Sequence, residues 1–93
     1  MGKIKKRVKV CKGCRIGDID TYTEDNFFAY YKGYTIQIDR ETPYAFYIIV
    51  IHPDGGNLYD GWWNYEGIKE RTMSDAIKEA LIGSGIIEKA DCE

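Results

Sequence analysis

Between Tyr34 and Arg40 the chain alternates: Tyr34, Ile36 and Ile38 are apolar, while Thr35, Gln37 and Asp39 are polar. A period of two puts each set on its own face, so this segment is expected to be a strand with one buried face. Glu41-Thr42-Pro43 ends it, because proline has no N–H for a ladder and restricts the residue before it. From Tyr44 to His52 the alternation disappears, with Phe46, Ile48 and Val50 on one side and Tyr47, Ile49 and Ile51 on the other. That pattern predicts a central strand covered on both faces. Pro53-Asp54-Gly55-Gly56-Asn57 concentrates turn formers and predicts a hairpin loop. Leu58 to Tyr65 is then the return strand, with Gly61 marking a bulge or twist.

Further on the period changes. Thr72 is placed as an N-cap, with Asp75 three residues later completing an approximate capping box. Met73, Ala76, Ile77, Ala80 and Leu81 share one face of a helix running from about Met73 to Ile82, and Gly83-Ser84-Gly85 stops it. Upstream, Lys32-Gly33 suits a tight hairpin between the aromatic run Phe27 to Tyr31 and the strand at Tyr34. Ile16 to Asn26, rich in Gly, Asp and Thr and without a hydrophobic period, is expected to be a loop. Before it, Ile4, Lys6, Val8 and Val10 alternate with Lys5, Arg7 and Lys9, the pattern of a half-buried strand. These elements define an α+β fold: a three- to five-stranded antiparallel sheet with one helix packed on one face.

The order strand, strand, Pro-Asp-Gly hairpin, strand and Thr-capped helix carrying Asp75-Ala76-Ile77 and Ala80 resembles the small βββα modules of bacterial and phage proteins. Integrase arm-binding and AP2-like domains are among them, and the resemblance covers residues 33 to 85. It rests on turn chemistry and amphipathicity, so what it implies is a fold. The DNA-binding members present a basic sheet, whereas this segment carries Asp39, Glu41, Asp54, Asp60 and Glu66.

Composition narrows the picture. A chain of 93 residues and 10.7 kDa is expected to hold one domain. Its longest apolar run, Ala45 to Ile51, is far shorter than the ~20 residues a membrane-spanning helix needs. The cationic N-terminus lacks the apolar stretch of a signal peptide, and three cysteines are an odd count for a disulfide framework. A cytoplasmic protein with reduced thiols and no membrane contact is expected. The net charge of −2 hides an asymmetry: residues 1 to 15 hold Lys3, Lys5, Lys6, Arg7, Lys9, Lys12 and Arg15 and no acid. Residues 16 to 93 hold six cations against all fifteen acids, a net of −9. The chain divides into a basic N-terminal arm or strand, 1–15, and a single acidic α+β domain, 16–93.

Candidate chemistry is sparse. Cys11-Lys12-Gly13-Cys14 has the spacing at which two thiolates reach one zinc, but this is half of a tetrahedral site. Cys11, Cys14, His52 and Cys92 are the only set that could complete it, and the expected state is an unmetallated pair without a cofactor. A redox dithiol would want the pair at the start of a helix in a βαβ unit, which the pattern lacks. Asp18 to Tyr22 begins like a calcium loop but has Thr23 and Ala29 where glycine and glutamate are required. His52, abutting Pro53, is expected to hydrogen-bond its own loop. With one His and only Ser74 and Ser84 as serines, no nucleophile has a base, and an enzyme is not expected.

The surplus of aromatic residues is more informative. Tyr30, Tyr31, Tyr44, Tyr47, Tyr59, Trp62, Trp63 and Tyr65 exceed what one helix covers on such a sheet, and Tyr and Trp are common interface anchors. Either some are exposed, or the N-terminal segment and the Phe27-Phe28 run cover the far face as a second layer. The first alternative predicts a small non-catalytic protein-binding module that either self-associates or binds a larger partner, with Asp39, Glu41, Asp54, Asp60, Trp62 and Trp63 as contacts. A phage or mobile-element factor inhibiting a host system fits its size and acidity. A function of a different class is nucleic-acid binding through Lys3, Lys5, Lys6, Arg7, Lys9, Lys12 and Arg15, with zinc optionally ordering the arm.

Overall fold

The computed structural model describes residues 8–11, 14–64 and 72–88. A short antiparallel hairpin of β1 (Val8–Cys11) and β2 (Cys14–Ile16) leads into β3 (Asp18–Tyr22), β4 (Asn26–Tyr31), β5 (Tyr34–Thr42), β6 (Ala45–Ile51) and β7 (Asn57–Asn64). The last five form one antiparallel sheet in chain order, and α1 (Met73–Gly83) packs on one of its faces. The α+β expectation holds, with the sheet at its upper strand count. The predicted order of three strands and a helix is found in β5, β6, β7 and α1, and β3 and β4 widen the sheet beyond it.

Alternation decides which face is buried. Phe27, Ile38 and Ile48 are register neighbours across β4, β5 and β6, and so are Ala29, Ile36 and Val50. All six are buried, as are Met73, Ala76, Ile77, Ala80 and Leu81 on the helix. The dry layer between sheet and helix is therefore aliphatic with Phe27 and Phe46 in it, and among the described residues it buries no polar or charged side chain completely. Arg40 lies at its margin, its guanidinium 4.6 Å from the Phe46 ring centroid and its Nε 3.2 Å from Asp25.

Local chemistry sets the ends of these elements. Lys32 and Gly33 both have positive φ, 51° and 87°, the pair a tight hairpin with the native strand twist requires. Thr72 and Asp75 form the full capping box: the Thr72 hydroxyl accepts from the Asp75 N–H, and the Asp75 carboxylate accepts from the Thr72 N–H. At the other end the Ile86 N–H reaches the Leu81 carbonyl and the Gly85 N–H the Ile82 carbonyl, closing a Schellman motif.

Three sequence expectations are corrected. The segment expected as a loop contains β3, whose register slips between Ile19 and Thr21. The bulge lets Ile19 and Tyr22, three residues apart, face the helix together, which erases the period of two. The β6–β7 irregularity falls between Val50 and Ile51, opposite the start of β7, while Gly61 pairs regularly with Ile48. Finally, among the described residues nothing covers the second face of β6: Phe46, Ile48 and Val50 are fully buried, whereas Tyr47, Ile49 and Ile51 are only half-buried. The expected N-terminal strand is described only over Val8–Cys11, and Tyr65 lies outside the described residues.

Candidate functional site

The second face of the sheet is built from the alternate residues of the same strands. Three register rows cross it: Asn26, Asp39, Tyr47 and Trp62; then Thr21, Phe28, Gln37, Ile49 and Asp60; then Asp18, Tyr30, Thr35 and Ile51. None of these side chains is buried, and Tyr30 and Trp62 are 38% and 56% exposed. Among the described residues no second layer lies over this face. Phe27 and Phe28 belong to the sheet itself, and the β1–β2 hairpin lies beside α1 and β4, with Ile16 in the core the helix covers.

Two carboxylates are held in place on this face by neutral donors. Asp39 accepts from Asn26 Nδ2 at 2.8 Å and from Gln37 Nε2 at 3.2 Å. Asp60 accepts from the Tyr47 hydroxyl and from Asn57 Nδ2 at 3.2 Å. Neither is paired with a cation among the described residues, and the hydrogen bonds fix the direction of each. Trp62 meets Tyr47 edge to face, ring centroids 5.2 Å apart, which fixes the exposed indole beside the Asp60 carboxylate. Beside them a shallow depression of about 300 Å³ is lined by Asn26, Phe28, Gln37 and Asp39.

Of the residues proposed from sequence, Asp39, Asp60 and Trp62 therefore come together on one face. Trp63 does not join them: consecutive strand residues face opposite ways, and Trp63 stacks on Phe46 on the helix side, centroids 6.1 Å apart. Glu41 is exposed near the end of β5, and Asp54 sits in the β6–β7 loop. Phe28, Tyr47 and Ile49 belong to the face and are missing from the sequence proposal, because they lie on other strands than Asp39, Asp60 and Trp62 and only the cross-strand register brings them together.

The other candidates separate. Cys11 and Cys14 are register partners across the β1–β2 turn, and Lys9 is the register partner of Arg15. Cys92, Lys3, Lys5, Lys6, Arg7 and Lys12 lie outside the described residues. His52 is engaged locally: its Nδ1 accepts from the Asp54 N–H at 3.0 Å and its ring meets Tyr34 edge to face. No group of three or more metal-binding side chains occurs among the described residues, nor does a helix long and apolar enough to cross a membrane.

A cleft of about 590 Å³ at the start of α1 is lined by Tyr22, Glu24, Arg40, Thr72 and Ser74. Two of its polar side chains are engaged: Arg40 binds Asp25 and the Glu24 carbonyl, and Thr72 is tied into the capping box.

Two tyrosines are electrostatically distinct. Tyr47 has its phenol pushed above the ordinary value, chiefly by its hydrogen bond to Asp60. Tyr59 is raised further, first by burial and then by donating to Glu79 at 2.9 Å. Both phenols are held neutral in the folded chain above the pH at which the unfolded chain loses those protons. Their contribution to stability is therefore intact below about pH 10 and falls as pH rises through the higher folded values. In an alkaline titration these two phenols should ionise above the usual tyrosine range, and Tyr59→Phe should remove the higher step and soften the alkaline loss of stability. Phenolate absorbance and melts across the same pH range check both.

Comparison with protein-family models, with curated proteins and with solved structures finds no match.

Proposed function

We propose that this protein is a non-catalytic protein-binding module whose binding surface is the open face of the sheet, centred on Asp39, Tyr47, Asp60 and Trp62. The observation that carries this reading is the pairing of exposed aromatic surface with two fixed, cation-free carboxylates on a face without a described covering layer. Aromatic rings supply contact area that loses little entropy on binding, and the carboxylates select a partner of opposite charge. The partner is expected to present lysines or arginines over an apolar patch, as the nucleic-acid grooves of many proteins do. An accessory factor of a phage or mobile element that occupies such a groove and so inhibits a host system is the biological form of this reading.

The test is capture from a lysate of the native source with the wild type and with Asp39→Lys/Asp60→Lys. The wild type should retain a protein that salt releases, and the charge-reversed variant should retain it at least about tenfold less well with an unchanged circular dichroism spectrum. Equal retention by both removes this reading. A nucleic-acid reading has one observation in its favour, the cross-strand pairing of Lys9 with Arg15 in the basic hairpin. Salt-sensitive binding of duplex DNA that disappears with Lys9→Ala/Arg15→Ala and survives the aspartate changes would favour it instead.

A further inference from the structure

The two edges of the sheet are built differently. At one edge β3 has five residues, breaks register between Ile19 and Thr21, and carries Asp18 and Asp20. Short length, a bulge and charge are the devices that keep an edge from pairing with another chain. At the other edge β7 runs for eight residues; its own extra residue, Leu58, lies at its start, and from Tyr59 to Asn64 it pairs with β6 in continuous register. It contains no proline and no lysine, and its one charged residue is Asp60. No described strand pairs with its outer side.

We propose that β7 is the pairing edge of a homodimer, in which it joins antiparallel to β7 of a second copy so that the two sheets become one. The strand's own sequence selects this occupant. Residues directly opposite each other in an antiparallel pair share a face. A symmetric pairing that keeps the two helices on one side must therefore place its two-fold axis beside a residue. Two such registers keep all but one of the eight residues opposite a partner, with the axis at Asp60 or at Gly61, and the second leaves the bulged Leu58 in the terminal pair. The first sets Asp60 against Asp60 of the second copy, and like charges directly opposite are destabilising.

The second register sets Asp60 against Trp62 of the second copy, and the reverse, so each exposed indole meets a carboxylate able to accept its N–H. On the helix side it sets Tyr59 against Trp63, an aromatic pair on each side of the axis. Gly61 falls on the axis, where a Cβ would meet nothing within 4 Å, which leaves room for the flanking rings. The strand is thus complementary to itself in one register and repelled in the other. This inference rests on the edge of the sheet; Asp60 and Trp62, which it pairs across the axis, also belong to the open face proposed above as the binding surface, whereas Asp39 on β5 lies away from the edge and reports on that surface alone.

Sedimentation equilibrium from micromolar to millimolar concentration, with a thiol reductant to exclude disulfide dimers, tests it through two substitutions at one exposed position. The wild type should approach twice the 10.7 kDa chain mass. Trp62→Asp places carboxylates opposite Asp60 on both sides of the axis and should weaken association at least about tenfold. Trp62→Lys places an ammonium there and should remain dimeric. At 56% exposure neither change should disturb the fold, which circular dichroism checks. A wild type that stays monomeric throughout overturns the proposal, and so does equal weakening by Asp and Lys, since the Gly61-centred register requires them to differ.

Discussion

Replacing Phe27 by alanine should destabilise the protein by about 3–5 kcal/mol, the usual result of emptying a fully buried aromatic site. Phe27 is 1% exposed, meets Tyr22 edge to face at 5.4 Å, and is the register neighbour of Ile38 in the dry layer. Domains of this kind have about 5–15 kcal/mol in total, so the variant should melt far lower or fail to fold at ordinary temperature. Phe28→Ala, one residue on, should cost about 1 kcal/mol, because Phe28 faces the open side and is only half-buried. Urea denaturation of both variants measures the contrast. Similar losses at the two positions would mean that the second face is covered and that the proposed binding surface is wrong.

The second large effect is expected where the end of the helix lies against Tyr59. Gly83 closes α1, and a Cβ added there would stand 2.5 Å from Tyr59 Cε2 and 2.9 Å from its Cδ2. On an unobstructed helix Gly→Ala stabilises by up to about 1 kcal/mol. Here the ring must move, and it is held by its hydrogen bond to Glu79 and by packing against the core. Gly83→Ala is therefore expected to cost about 1–3 kcal/mol through overpacking. The sign should reverse in a Tyr59→Ala background, where the obstruction is gone and only the helix preference remains. A double-mutant cycle by chemical denaturation checks this, and a coupling energy near zero would show that the glycine is not there for the tyrosine.

What could be read in advance follows from how local each signal is. Lys32-Gly33, Thr72 with Asp75, and the five apolar residues of α1 each encode their structure within a few positions, and each is found as expected. β3 was hidden because a bulge shifts its phase, so Ile19 and Tyr22 look unrelated until the register is known. The double apolar pattern of β6 does not distinguish a covered face from one left open, since Tyr47, Ile49 and Ile51 would read alike in either case. That distinction depends on where the rest of the chain goes. The separation of Trp62 from Trp63 was available from the period of two, since only one of two consecutive strand residues can share a face with Asp60.

Each strand of the sheet is hydrogen-bonded only to strands adjacent in the chain, while the helix that covers one face comes last. Every strand pairing closes a short loop, so the register can be found without a long search. The consequence falls on synthesis. When Asn64 has emerged from the ribosome, all five strands are present but Met73, Ala76, Ile77, Ala80 and Leu81 are not, and both faces of any nascent sheet are wet. Such a sheet has no buried layer to hold it, so cooperative folding has to wait for the segment that carries α1 to arrive.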